Sequence, residues 1–163
     1  GRKSPRGEAR ARIAGDFGCT LYFGDDPAVH EHIGRCERVM RDLASALRPG
    51  TTSAELHRQA ARRFEAENLV NHPSRSIHDP AGGNLGHSIP NAFPSGTESR
   101  ADIDDDRDAI ARGRRFLSPR GELEIPSVGC FTLEGQLADR ARSALPIVLV
   151  HLLVRMDDGA PVL

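Results

Sequence analysis

The stretch YFGDDPAVHEHIGRCERVMRDLASALRPGTTSAELHRQAARRF, residues 22–64, decides how the rest of this chain is read. Within it Val29, Ile33, Cys36, Met40, Leu43 and Leu47 recur at alternating steps of four and three. That spacing lays one apolar stripe along an amphipathic helix. Pro27 stands at the first turn, where its missing N–H costs nothing, and Arg48-Pro49-Gly50 stops the helix. A second helix starts almost at once. Thr52 with Glu55 three residues on fits a capping box, and Leu56, Ala60 and Phe64 form its buried face before Asn68 ends it. A short loop joins the two helices, so they are expected to pack against each other or on one sheet.

Working outward, residues 12–24 (RIAGDFGCTLYFG) carry two short apolar runs around Asp16–Gly18, which read as strand, kink, strand. On the far side, residues 130–134 (CFTLE) and 145–154 (LPIVLVHLLV) are strand-like. Asp157-Asp158-Gly159 is a hairpin signal, with Pro161-Val162-Leu163 starting a return strand. Residues 71–108 are rich in Pro, Gly, Ser, Asn and Asp, and read as a long irregular loop of the kind that carries function. Residues 1–11 read as a basic arm or loop. The order β, α, α, long loop, β, β predicts a single α+β domain over residues 1–163, with helices on one face of a mostly antiparallel sheet.

Composition narrows the function. The 163 residues carry 22 Lys and Arg against 23 Asp and Glu, and only 4% aromatics. Near-zero net charge and few stacking rings exclude a nucleic-acid binder. The ten-residue apolar run at 145–154 is too short to span a bilayer, so no membrane role is expected. Three cysteines, Cys19, Cys36 and Cys130, form no CxxC pair and no disulfide framework, which places the chain in a reducing compartment, the cytoplasm. None has a neighbouring base in sequence, so none reads as a nucleophile.

Three segments place a metal-type ligand beside glycine: AGDFGCT with Asp16, NLGHSIP with His87 and CFTLEG with Glu134. Glu134, read as the end of an apolar strand, is the sharpest of them. An ionised carboxylate there is costly unless it is paired or bound to a cation. Carboxylates with one imidazole suit Mn, Fe, Co or Zn. His151, central in its apolar strand, is a further candidate ligand. His30, His32 and His57 fall on helix faces and are expected to be solvated. Asp102, Asp104, Asp105, Asp106 and Asp108 lack the spacing of a calcium loop and read as a solvated acidic loop.

The order of these segments resembles the pita-bread metallohydrolases: methionine aminopeptidases, proline-specific aminopeptidases and creatinase. The resemblance runs over residues 13–159. It is carried by GDFGCT (Asp16), YFGDDP before the helix pair, the RPGTTSAELH turn, LGHSIP (His87) and FTLEG (Glu134). It implies a pita-bread fold and a metal-dependent hydrolase that cleaves a peptide or other C–N bond through activated water. Asp16, His87 and Glu134 would be ligands of a divalent ion (Mn, Co, Zn or Fe).

The departures are informative. The family's first Asp falls where this chain has Pro5 and Arg6, and its second Glu falls at Val150 or His151. Its second, substrate-holding His falls at Pro94; His78, upstream in the long loop, is the candidate to replace it. The incomplete set implies one ion rather than two, held by Asp16, His87 and Glu134, with His151 completing an iron-type set if it turns inward. The competing reading is a non-catalytic pita-bread domain that binds a peptide or protein in the old cleft. The chain opens at Gly1, and a domain missing part of its N-terminal half is expected. Such a domain would pair as a homodimer or with a complementary chain to cover its sheet edge.

Overall fold

The computed structural model describes residues 12–13, 18–72, 83, 85–89, 91–92 and 115–163. Helix α1 (Pro27–Ser45) opens with Asp26, whose side chain accepts a hydrogen bond from the Ala28 N–H, and with Pro27 in the first turn. Helix α2 (Ser53–Ala66) begins with the reciprocal capping box of Thr52 and Glu55. It ends where Asn68 takes a φ of 53°, a left-handed conformation that asparagine tolerates.

Two strand systems accompany the helices. Strands β1 (Arg12–Ile13) and β3 (Asn91–Ala92) form a two-stranded antiparallel pair. The main sheet holds β2 (Leu69–Asn71), β4 (Gly129–Asp139), β5 (Val148–Asp157) and β6 (Ala160–Val162) in the order β2-β4-β5-β6, all antiparallel. Asp158 and Gly159 make the β5–β6 turn with φ of 49° and 85°, the paired positive values that a tight hairpin demands.

Alternation sorts the two faces of the sheet. Phe131, Leu133, Leu137, Val148, Val150, Val154 and Met156 point inward and are buried. They meet Cys36, Met40, Leu43 and Leu47 of the α1 stripe and Leu56, Ala60 and Phe64 of α2 in one apolar cluster. Each such aliphatic or aromatic side chain contributes about 1.5–3 kcal/mol. The helices therefore back one face, and Thr132, Glu134, Leu149 and His151 occupy the other.

Several local expectations are corrected. Residues 18–23 form no strand: Thr20 exchanges one pair of hydrogen bonds with Leu149 (N–H to O 3.2 Å, Leu149 N–H to Oγ1 2.8 Å), and beyond it Phe23 is 95% exposed. An apolar run without a partner ladder stays irregular. Strand β5 starts at Val148 instead of Leu145, past Pro146, which has no N–H to donate. Glu134 is not a strand end; β4 continues to Asp139, so the carboxylate stands in mid-strand. His32, expected in solvent, is fully buried. Its Nε2 donates to the Pro146 carbonyl at 3.0 Å and its Nδ1 accepts from Arg35 at 3.0 Å. His57 is also partly buried, donating to the Leu117 carbonyl at 2.7 Å. The basic arm at 1–11, the acidic residues at 102–108 and most of the loop at 71–108 lie outside the described residues.

Candidate metal centre

Strand register assembles the site. Glu134 and His151 are direct partners across β4 and β5, so both side chains leave the sheet on the same face. Thr132, two residues before Glu134, shares that face by the period of a strand. His151 Nε2 lies 3.3 Å from Glu134 Oε1. Thr132 Oγ1 donates to the same oxygen at 2.5 Å.

His87 arrives from a separate segment. Residues 85–89 run along β4 on the side opposite β5. Thr132 N–H donates to the His87 carbonyl (2.8 Å), Glu134 N–H to Leu85 (3.0 Å) and Ile89 N–H to Cys130 (3.0 Å). The His87 N–H in turn donates to Thr132 Oγ1 at 3.0 Å. Gly86 makes this docking possible. Its φ is 123°, and a Cβ there would sit 2.1 Å from the Thr132 carbonyl oxygen. On the outer side, Leu117 N–H donates to Gly86 and Leu85 N–H to Leu117, while His57 holds that Leu117 carbonyl from α2. Phe116 packs edge-on against the His87 ring, with centroids 6.0 Å apart.

The result is a carboxylate oxygen with two imidazoles beside it, since His87 Nε2 lies 3.5 Å from Glu134 Oε1. Both rings are nearly buried, and the Glu134 side chain is 31% exposed. Burial pushes the Glu134 carboxyl up, but the contacts with His151 and Thr132 and the nearby imidazoles outweigh it and leave it below its ordinary value. The His87 Nδ1 donates to the Ser88 carbonyl at 2.9 Å, a backbone contact of the kind that orients metal-ligating histidines. Two donors of one tetrahedral ion stand about 3.4 Å apart, so the His87–Glu134 separation fits a shared cation. Among the described residues, no group of three or more His, Cys, Asp or Glu side chains could hold a metal.

The structure thus brings His87, Glu134 and His151 together, while Asp16 and His78 lie outside the described residues. Thr132 was not singled out in the sequence, although its place two residues before Glu134 in a strand signalled a shared face. A cavity of about 510 Å³ lies at the end of the sheet, lined by Leu117, Ile125, Phe131 and Met156 among others. It meets the residues around Glu134 only through Ser88.

An antiparallel sheet backed by a helix pair, with imidazoles and a carboxylate on its open face, is the architecture of a pita-bread domain. The sequence matches the model of metallopeptidase family M24 over residues 8–115, more than half of its length, and the chain belongs to that family. Among solved structures, a prolidase from Pyrococcus furiosus superposes with a TM-score of 0.53 at 12% identity, covering 88% of this chain and 34% of its own. The dipeptidase PepE from Mycobacterium ulcerans gives 0.50 at 16% identity, with 85% and 30% covered. A dipeptidase from Pyrococcus horikoshii OT3 gives 0.50 at 13% identity, with the same shares. At these identities the likeness establishes the fold, and this chain spans about a third of each relative's length. A search of curated protein sequences gave no match. No helix among the described residues is long and apolar enough to cross a membrane.

Proposed function

We propose that this chain is the metal-binding part of a hydrolase that cleaves a peptide or other C–N bond. One observation carries the reading: His87 Nε2 faces Glu134 Oε1 at 3.5 Å while the opposite ring nitrogen is committed to the Ser88 carbonyl. That separation is the one two donors of a single cation take, and the Ser88 carbonyl holds the ring in place for it. Asp16, His87 and Glu134 would hold it, one divalent ion (Mn, Co, Zn or Fe). Such an ion polarises a carbonyl and lowers the pKa of water toward neutrality. The chain's own contribution is to orient the donors. Thr132 holds Glu134 Oε1, the Ser88 carbonyl orients the His87 ring, and His78 is the candidate to contact substrate.

The prolidase and dipeptidase likenesses make short peptides the first substrates to test. With Mn²⁺ or Co²⁺ added, the protein should release free amino acids from a dipeptide panel, and His87→Ala should abolish release. Turnover unaffected by His87→Ala would defeat the reading.

The departures from the family's ligand pattern at Pro5, Arg6 and His151 favour a second reading, a non-catalytic domain that binds a peptide or protein in the cleft. Peptide binding without turnover at any metal concentration would select it. A homodimer, or pairing with a complementary chain, would complete the shortened domain; a stable monomer by light scattering would exclude the homodimer. Three free cysteines, one of them exposed, fit a cytoplasmic location.

A further inference from the structure

The segment that carries His87 is held on two sides. One side is β4, through the backbone bonds and the Thr132 hydroxyl described above. The other is residues 115–117, which lie antiparallel to it. Ser88 N–H donates to the Arg115 carbonyl at 2.9 Å, Leu117 N–H to Gly86 at 2.9 Å and Leu85 N–H to Leu117 at 3.1 Å. Phe116 stands between these anchors and packs T-shaped against the His87 ring.

Residues 115–117 need an anchor of their own, and α2 supplies it. Its first turn takes the stretch that follows them: Ser53 N–H donates to Leu123 at 2.8 Å and Ala54 N–H to Gly121 at 3.2 Å. One turn further on, His57 reaches Leu117 itself, with Nε2 2.7 Å from the carbonyl oxygen. A carbonyl only accepts, so His57 is the donor. The Leu117 oxygen thus has both lone pairs engaged, one by Leu85 N–H and one by His57. Leu117 is buried, which makes either donor costly to lose. Packing alone would be met by an apolar side chain at position 57; the Leu117 carbonyl requires an N–H.

We infer that His57 is a positioning residue for the His87 segment. From α2 it fixes the Leu117 carbonyl, Leu117 fixes Leu85 and Gly86, and Phe116 sets the place of the His87 ring. The inference rests on the metal reading proposed above and adds a residue to it. A ligand ring left about 1 Å too loose by its supporting contacts no longer shares an ion well with its neighbour. Helix α2 thereby takes part in the site as well as in the core.

Two substitutions of His57 test this, with Asp139→Asn as a control for stability. In the metal-free chain, amide exchange followed by NMR should quicken about fivefold or more at Leu85 and Leu117 in His57→Ala. It should return to within about twofold of the parent in His57→Gln, whose side-chain amide offers an N–H to the same carbonyl. The His87 ring protons should shift in His57→Ala, as Phe116 moves off them, and hold their place in His57→Gln. Zn²⁺ affinity should fall about tenfold in His57→Ala and stay within about threefold of the parent in His57→Gln. Asp139→Asn, at the far end of β4, should lower the Tm and leave Zn²⁺ affinity at the parent value. Parent-like exchange and affinity in His57→Ala would overturn the inference. So would equal losses in the two His57 variants, which would assign the effect to packing, or an equal loss of affinity in Asp139→Asn. A parent that takes up no Zn²⁺ removes the metal reading alone; exchange rates and ring shifts of the metal-free chain then decide the role of His57 by themselves.

Discussion

Replacing Asp139 with Asn should destabilise the protein by about 2–4 kcal/mol, and by an amount that depends on pH in one direction. The Asp139 carboxylate is 1% exposed and sits at the end of β4, where the chain turns away from the sheet. It accepts from Arg35 of α1 at 2.5 Å, from Arg142 at 3.0 Å and from the backbone N–H groups of Ala141 and Arg142 at 2.9 and 2.8 Å. Removing one partner of a buried ion pair costs about 3–5 kcal/mol. Asn keeps an oxygen for the two backbone donors, and Arg142 is too exposed to contribute more than about 1 kcal/mol. The loss therefore falls mainly on Arg35, whose side chain is 16% exposed.

For a chain of this length such a loss lowers the Tm by about 4–16 °C, which a calorimetric scan resolves. The Arg35 guanidinium holds the folded carboxyl well below the usual range, aided by the backbone donors and Arg142 against the opposing effect of burial. A depressed folded pKa stabilises above the unfolded value of about 3.9 and loses that contribution as pH falls. The gap between parent and variant should stay flat from about pH 8 to pH 5 and narrow below about pH 4. A variant melting within 1 °C or so of the parent, or a gap that persists undiminished at about pH 2, would refute the reasoning.

Further outcomes follow from the same geometry. Gly86→Ala should cost at least about 2–3 kcal/mol, because the new Cβ meets the Thr132 carbonyl and the backbone is left-handed. Hydrogen exchange should then accelerate at the Thr132 and Glu134 amides, which bond to residues 87 and 85; unchanged protection there would contradict the docking described. Thr132→Val removes a donor to Glu134 and the acceptor of the His87 N–H, so the Glu134 carboxyl should titrate higher by ¹³C NMR. An unmoved titration would show that the hydroxyl does not hold the charged form. Burial pushes the Cys36 thiol up to about 11, so thiol reagents near pH 8 should modify exposed Cys19 in the folded protein and Cys36 only after unfolding. Rapid native labelling of Cys36 would contradict the packing of α1.

The helix pair was legible because a stripe repeating every three and four residues, a proline and a capping box are local signals that agree with one another. Glu134 and His87 were legible only through their motifs and their order along the chain. Their meeting depends on strand register and on Gly86, which no local pattern specifies. The arrangement of His32, Arg35 and Asp139 was illegible for the same reason, since its members lie on α1 and at the far end of β4. Charged and imidazole side chains on an amphipathic helix read as solvated unless a distant partner is known. Residues 21–23 failed in the opposite direction. Leu21 and Phe23 satisfy a strand pattern, but among the described residues no neighbouring strand pairs with them.

The central claim is that His87 and Glu134 share a cation. Metal content of the purified protein by plasma mass spectrometry, compared with the His87→Ala, Glu134→Ala double variant, tests it most directly. The account predicts near-stoichiometric Mn, Co, Zn or Fe in the parent and none in the variant. A parent that stays metal-free even after soaking in these ions, or a variant that retains the metal, would contradict it.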